Sequence, residues 1–263
     1  MAAPRVPADP LPSLPLPSPP LPRSGCPKLD ISTLAWGTKT DAYLRTVADA
    51  RPETKTLDLS GRFVAVTEAG LLAVGAACTD LESLSIAGSS RDTVSAASLD
   101  VIAANFEKLK RLDLRGSFAA GEATDAWLTK LATAHPDLEA LHLTAKGDPN
   151  EVPGLTEAGA CAVIRACPKL DLASFVGPPR GDAVVQALAD VRPELIEVSL
   201  GGDSLTDAGL QIISTSFRKL ESLTLTNCGA VTAAGLERVA LGCPQLTCFK
   251  AALIWGERPL PVM

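Results

Sequence analysis

The sequence predicts an α/β solenoid of about nine stacked units, with parallel strands lining a concave face and helices covering the convex face. Two observations carry this. The first is a fixed period. Aligned on the residue two before a recurrent leucine, the anchors are Pro27, Pro52, Thr79, Glu107, Pro136, Pro168, Pro193, Arg218 and Pro244, with spacings of 25 to 32 residues. The second is a change of hydrophobic period inside each unit. An L-x-x-L-x-L run gives a short strand with alternate residues buried. A helical i, i+3, i+7 stripe then follows.

The strands are justified column by column. Three residues after the first leucine come Leu57, Leu84, Leu112, Leu141, Val198, Leu223 and Phe249, with Ser32 and Ala173 as weak members. Two further on come Leu34, Leu59, Ile86, Leu114, Leu143, Phe175, Leu200, Leu225 and Ala251. After the strand, Gly61, Gly88, Gly116, Gly177 and Gly202 are expected to make the turn, because glycine tolerates positive φ.

Each helix entry is a hydroxyl followed by an acid: Thr40-Asp41, Thr67-Glu68, Thr124-Asp125, Thr156-Glu157 and Thr206-Asp207. The hydroxyl caps an orphan backbone N–H, and the acid favours the positive end of the helix. Ser95 and Thr232 keep the cap alone; Gly181-Asp182 keeps the acid alone. Inward triplets such as Leu71/Val74/Cys78 and Leu210/Ile213/Phe217 then define one helical face. The apolar stretch 69–78 fits a buried helix. A strand–helix–strand crossover of this kind is right-handed.

In chain order, residues 1–24 are rich in proline, with P-x-x-P spacings such as Pro12 to Pro15. They are expected to form an extended or disordered tail, or a ligand for an aromatic groove. The solenoid is placed at 25–255 and a short tail at 256–263. The first unit is irregular, and Trp36 fits a cap over the solenoid end or a binding anchor. Tyr43 and Trp127 stand where other units carry Gly70, Gly159, Gly209 and Gly235. Their rings are expected to project at the helix-entry rim, either against a neighbouring loop or against a partner. The loop 144–155 is an insertion, of the kind that maps to a binding edge. The sixth strand, 170–176, is degraded. The last strand, about 246–253, has no helix after it and exposes a sheet edge.

The repeat resembles the cysteine-containing leucine-rich repeat, C-P-x-L-x-x-L-x-L-x-x-C-x-x-[IL]-T-D-x-G-L-x-x-L. Leu205-Thr206-Asp207-Ala208-Gly209-Leu210, Asn227-Cys228 and Cys243-Pro244 carry the match, and the resemblance covers about 26 to 253. The Cys or Asn after the strand survives only at Cys228; Arg62, Ser89, Ser117, Lys146, Pro178 and Asp203 replace it elsewhere. Such repeats are typical of F-box/leucine-rich-repeat ubiquitin-ligase receptors and of related mitotic-exit antagonists that lack an F-box. The resemblance implies a non-enzymatic protein-binding module, with ubiquitin-ligase subunits among its partners. A three-helix F-box does not fit into residues 1–24. The alternative is a structural or accessory subunit of a large assembly, with the proline-rich tail contacting neighbours.

Composition limits the classes of function. With a formal charge of −6 and a pI near 5.0, the chain lacks the basic face that nucleic acid needs. No run of eighteen apolar residues predicts a membrane span, and no signal peptide is expected. Seven cysteines without a C-x-x-C pair read as buried thiols in a reducing, intracellular and most simply cytoplasmic setting, with import into an organelle left open. No cofactor or metal set is expected. Nor is there a nucleophile elbow, phosphate loop or H-E-x-x-H motif.

The candidate site lies on the strands. The concave central column includes Asp58, Ser85, Asp113, His142, Ser199, Thr224 and Lys250, and its distinctive cluster is Arg111, Asp113, Arg115 and His142. The cluster reads either as a patch whose arginines take a carboxylate or phosphate from a protein partner, or as a solvated ladder of Arg–Asp pairs.

Overall fold

The computed structural model describes residues 28–30, 40–61, 67–88, 94–117, 124–144, 154–171, 181–202 and 204–252. The tails, Trp36, Cys26, most of the loop 144–155 and the sixth strand, 170–176, beyond Asp171 lie outside the described residues. The elements in order are β1 (Lys28–Asp30), α1 (Asp41–Ala50), β2 (Thr56–Asp58), α2 (Glu68–Ala77), β3 (Ser83–Ser85), α3 (Ala96–Asn105), β4 (Arg111–Arg115) and α4 (Asp125–Ala134). They continue as β5 (Ala140–Thr144), α5 (Glu157–Ala166), α6 (Asp182–Val191), β6 (Glu197–Gly201), α7 (Asp207–Ser216), β7 (Ser222–Thr226), α8 (Ala233–Gly242) and β8 (Cys248–Ala252). All strand pairs are parallel and follow chain order, β1 to β5 and β6 to β8. Asp171 extends the first ladder by donating its N–H to the Glu139 carbonyl at 2.7 Å. This is an α/β leucine-rich-repeat solenoid.

The leucine columns set the register. Leu57, Leu84, Leu112 and Leu141 are successive ladder partners, as are Val198, Leu223 and Phe249. All of these except terminal Phe249 are buried between sheet and helices. The inward helix residues meet them from the other side, and one contiguous core runs the length of the stack. Each buried leucine contributes about 1.5–3 kcal/mol relative to exposure.

The turn glycines behave as their position demands: Gly61, Gly88, Gly116 and Gly202 have φ between 63° and 122°. Asn227 takes the same left-handed turn at φ 55°. Behind it the Cys228 thiol donates to the Thr226 carbonyl, and at the equivalent place Ser117 donates to Leu114. Serine therefore performs the cysteine's local task of satisfying a turn carbonyl.

Three expectations are corrected by the fold. The anchor alignment puts Ser32 opposite Leu57, but the ladder pairs Leu29 with Leu57. The backbone slides by three residues, which puts a leucine rather than a serine in the apolar column. The stretch 69–78 is not buried all round, because Ala69, Leu72 and Ala76 on α2 face solvent. A one-layer helical coat leaves every helix an outer face, whatever its composition. The third correction concerns Trp127 and belongs with the helix-entry rim below.

Candidate protein-binding surface

The concave side of β1–β5 forms an open depression of about 310 Å³, walled by Lys28, Asp58, Ser85, Arg111, Asp113 and His142 among others. These side chains converge because strand alternation sends every second residue inward to the core and the rest outward. Asp58, Ser85, Asp113 and His142 are ladder partners in turn, so the expected central column exists as a continuous polar stripe.

The arginines already have acceptors. Arg115 grips Asp113 on its own strand, with Nε 3.0 Å from Oδ1 and Nη2 2.6 Å from Oδ2. Arg111 reaches across to Glu139, Nη2 to Oε2 at 2.8 Å. The arginine side chains remain 62% (Arg111) and 56% (Arg115) exposed. Exposed pairs of this kind are worth only about 0.2–1 kcal/mol. The two guanidinium groups are therefore placed by weak fastenings and remain open to solvent. His142 stands half-buried beside Asp113 on the next strand. Tyr43 and Trp127 lie on the helix side and do not join this cluster.

The helix-entry rim contains a device that sequence reasoning missed. The first-turn acid of one helix does not only face its own dipole. It accepts from the cap residue of the next unit. Asp41 takes the Thr67 N–H at 2.9 Å and the Thr67 hydroxyl at 2.6 Å. Asp125 does the same with Thr156, Asp182 with Thr206 and Asp207 with Thr232. Glu68 makes a variant of the link, accepting from the hydroxyls of the cap Ser95 at 2.6 Å and of Ser98 at 3.3 Å. The Thr232 hydrogen bonds hold the Asp207 carboxyl below the ordinary aspartate range.

This ladder explains the glycine column. A Cβ on Gly70, Gly159, Gly209 or Gly235 would sit 2.2–2.3 Å from the Oδ1 of the preceding unit's aspartate. Where the preceding acid is absent, the space opens. Trp127 follows Ala96, and its ring fills the gap. Trp127 is 5% exposed and its indole N–H donates to the Leu99 carbonyl at 3.0 Å. It is a packing residue between α3 and α4, not a projecting anchor. Tyr43 is half-buried at the start of the stack, and burial pushes its phenol up.

The opposite helix ends are stitched by the cysteine column. The Cys78 thiol lies 3.5 Å from the Arg51 carbonyl, and Cys167 lies 3.4 Å from the His135 carbonyl. Arg192, in the same column, donates to the carbonyls of Leu170 and Cys167 at 2.5 and 2.6 Å. Cys78, Cys167 and Arg192 thus share one task, donating to carbonyls left open at or just beyond the end of the preceding helix. Burial raises the Cys167 thiol to about 11, so it stays protonated and able to donate. His135 shares the column, and burial lowers its basicity. Among the described residues, no three His, Cys, Asp or Glu side chains converge as a metal site would require. No helix among the described residues is long and apolar enough to cross a membrane.

No protein-family model matches the sequence, and no curated protein matches it. Solved structures with a similar chain path exist. The leucine-rich-repeat-containing protein LegL7 from Legionella pneumophila is 16% identical over 83% of this chain and 73% of that one, with a TM-score of 0.48. A protein from Bacteroides fragilis is 14% identical over 76% and 66%, with a TM-score of 0.43. A chain of the yeast Rad7–Elc1 complex is 15% identical over 80% and 66%, with a TM-score of 0.43. The class assignment stands on the ladder geometry itself.

Proposed function

We propose that this solenoid is a protein-interaction module without chemistry of its own, and that its concave face over β1–β5 receives a segment of another protein. The observation that carries the reading is the polar stripe of Asp58, Ser85, Asp113 and His142, flanked by exposed, weakly fastened Arg111 and Arg115. Its ion pairs hold the guanidinium groups in place for an incoming carboxylate or phosphate. In its finer form the reading is substrate recognition for a ubiquitin ligase, supported by the resemblance of the repeat to F-box/leucine-rich-repeat receptors.

The test is affinity capture from the source cell with wild type and with Arg111→Glu/Arg115→Glu. Both side chains are exposed, so the double variant should keep its melting temperature and lose the partner. Undiminished capture by the variant removes the concave patch from consideration. Cullin and adaptor subunits among the captured proteins would support the ligase form.

A second reading, a structural subunit within a larger assembly, is favoured by the C-terminal end of the stack. There Leu241 is 80% exposed and Phe249 44%. A stoichiometric set of partners that survives size exclusion, and is indifferent to Arg111 and Arg115, is its expected signature.

A further inference from the structure

The convex face is not uniform. On α3–α4 and α5–α6 the outward positions are charged and tied across helices, Lys130 to Asp100 at 2.7 Å and Arg165 to Asp190 at 3.9 Å. The α1–α2 groove is different. It is an open trough of about 500 Å³ with a floor of Ala69, Ala73 and Ala76, one leucine knob, Leu72, and a charged rim of Arg45 and Asp49. Leu72 is 45% exposed, and Arg45 and Asp49 face solvent. Among the described residues neither Arg45 nor Asp49 forms an ion pair with another side chain.

We propose that this groove is a self-association surface, on which a second copy of the chain docks antiparallel about a two-fold axis. The reason is its own complementarity. Arg45 and Asp49 are four residues apart on one stripe of α1. A two-fold axis crossing the groove between them sets each arginine against the other copy's aspartate, twice over. Leu72 and Ala76 occupy the equivalent fifth and ninth positions of the ten-residue α2. The same axis therefore places each leucine knob over the other copy's Ala76. One rotation satisfies both the charges and the shapes, as an isologous interface requires. Helix pairs approach to 8–10 Å where the contact residues are small, and the alanine floor supplies that condition. The outward curve of the helix coat restricts contact to α1 and α2. The interface is thus at the small end of the range, below about 1,200 Å², where complexes are weak and transient.

Sedimentation velocity of the full chain, up to the weak end of the affinity scale at about 1 mM, tests this. Wild type should shift from monomer to dimer with concentration. Leu72→Glu should remain monomeric. Arg45→Asp and Asp49→Arg should each weaken association at least tenfold, and the double exchange should restore it. Restoration by the double exchange separates a specific two-fold contact from general loss of fold, should Leu72→Glu fail to fold. A wild type that stays monomeric throughout overturns the proposal, as a groove filled by another segment of the chain or by a different protein would give. So does a dimer indifferent to Leu72→Glu, or an exchange that fails to restore association.

Discussion

His135 shows how one residue adds a condition to the whole core. It is 2% exposed, and its ring nitrogens make no hydrogen bond of full geometry, although the backbone of Ile102 and Ala103 lies near them. Burial lowers its basicity, and the backbone at Ile102 and Ala103 only partly opposes this. The folded chain therefore holds the imidazole neutral at a pH where the unfolded chain begins to protonate it. Stability is level above the ordinary histidine value of 6.5 and falls as the pH drops below it, because the unfolded state binds more protons there. The loss approaches about 1.4 kcal/mol per pH unit until the folded site also titrates. Phenylalanine fills the same column at Phe106 and Phe217. His135→Phe should thus remove most of the decline in urea midpoint between about pH 7 and 5. An equal decline in wild type and variant would assign the effect to other groups. The column position of His135 was legible from the period alone. Its poorly satisfied ring was not, because that depends on how the neighbouring helix presents its backbone at Ile102 and Ala103.

At the scale of the elements, the helices are coupled more tightly than their separate caps suggest. Every hydroxyl cap expected from the sequence accepts from its own first turn, and Gly181 alone lacks a side-chain cap. The caps were readable because they are local. The second partner of five of these caps (Thr67, Ser95, Thr156, Thr206 and Thr232), an acid some 24 to 31 residues earlier, was not, since only the stacking of helices brings the two together. The glycine column follows the same logic and gives a sharp test. Gly→Ala in a helix ordinarily stabilises by about 1 kcal/mol. Gly159→Ala should instead destabilise, because its Cβ meets Asp125 Oδ1 at 2.3 Å. In an Asp125→Ala background the same change should be neutral or favourable. The coupling energy in that double-mutant cycle should exceed about 1 kcal/mol; additive effects would show that the carboxylate does not exclude the side chain. The burial of Trp127 and the pairing of Arg111 with Glu139 were hidden for a similar reason, since each depends on one neighbour, Ala96 or Glu139, that a column-by-column reading treats as separate. The Arg115–Asp113 pair, within one strand, was already legible as one of the two readings of the cluster.

Across the molecule, two helix junctions among the described residues lack the rim link: α3–α4, where the buried Trp127 ring packs instead, and α5–α6. At the α5–α6 joint the cap is Gly181, and buried Glu157 Oε1 finds no hydrogen-bond partner. The other ends of the two helices are held by Arg192, through the carbonyls of Leu170 and Cys167, and by the long, exposed Arg165–Asp190 pair. Solenoid stability is close to a sum of units and their interfaces, so opening should begin at this joint. Amide hydrogen exchange should be about fivefold faster in the first turn of α6 than in that of α7, matching the ~1 kcal/mol typical of a missing cap. Equal protection in the two turns would mean that backbone packing, not the side-chain ladder, sets local stability. The sequence showed this region as degraded through its prolines and poor strand; that its helix-entry rim has no cap-to-acid bond became visible only with the rim in place.

The rim ladder also bears on how such an array changes length. In Thr206-Asp207 the hydroxyl serves the unit before and the carboxylate serves the unit after, so one segment carries both plug and socket. Duplicating or deleting a whole segment of this kind leaves its plug and socket matched to its neighbours. Copy number can therefore drift while each junction stays chemically complete, whereas an insertion of any other length strands a carboxylate on the rim.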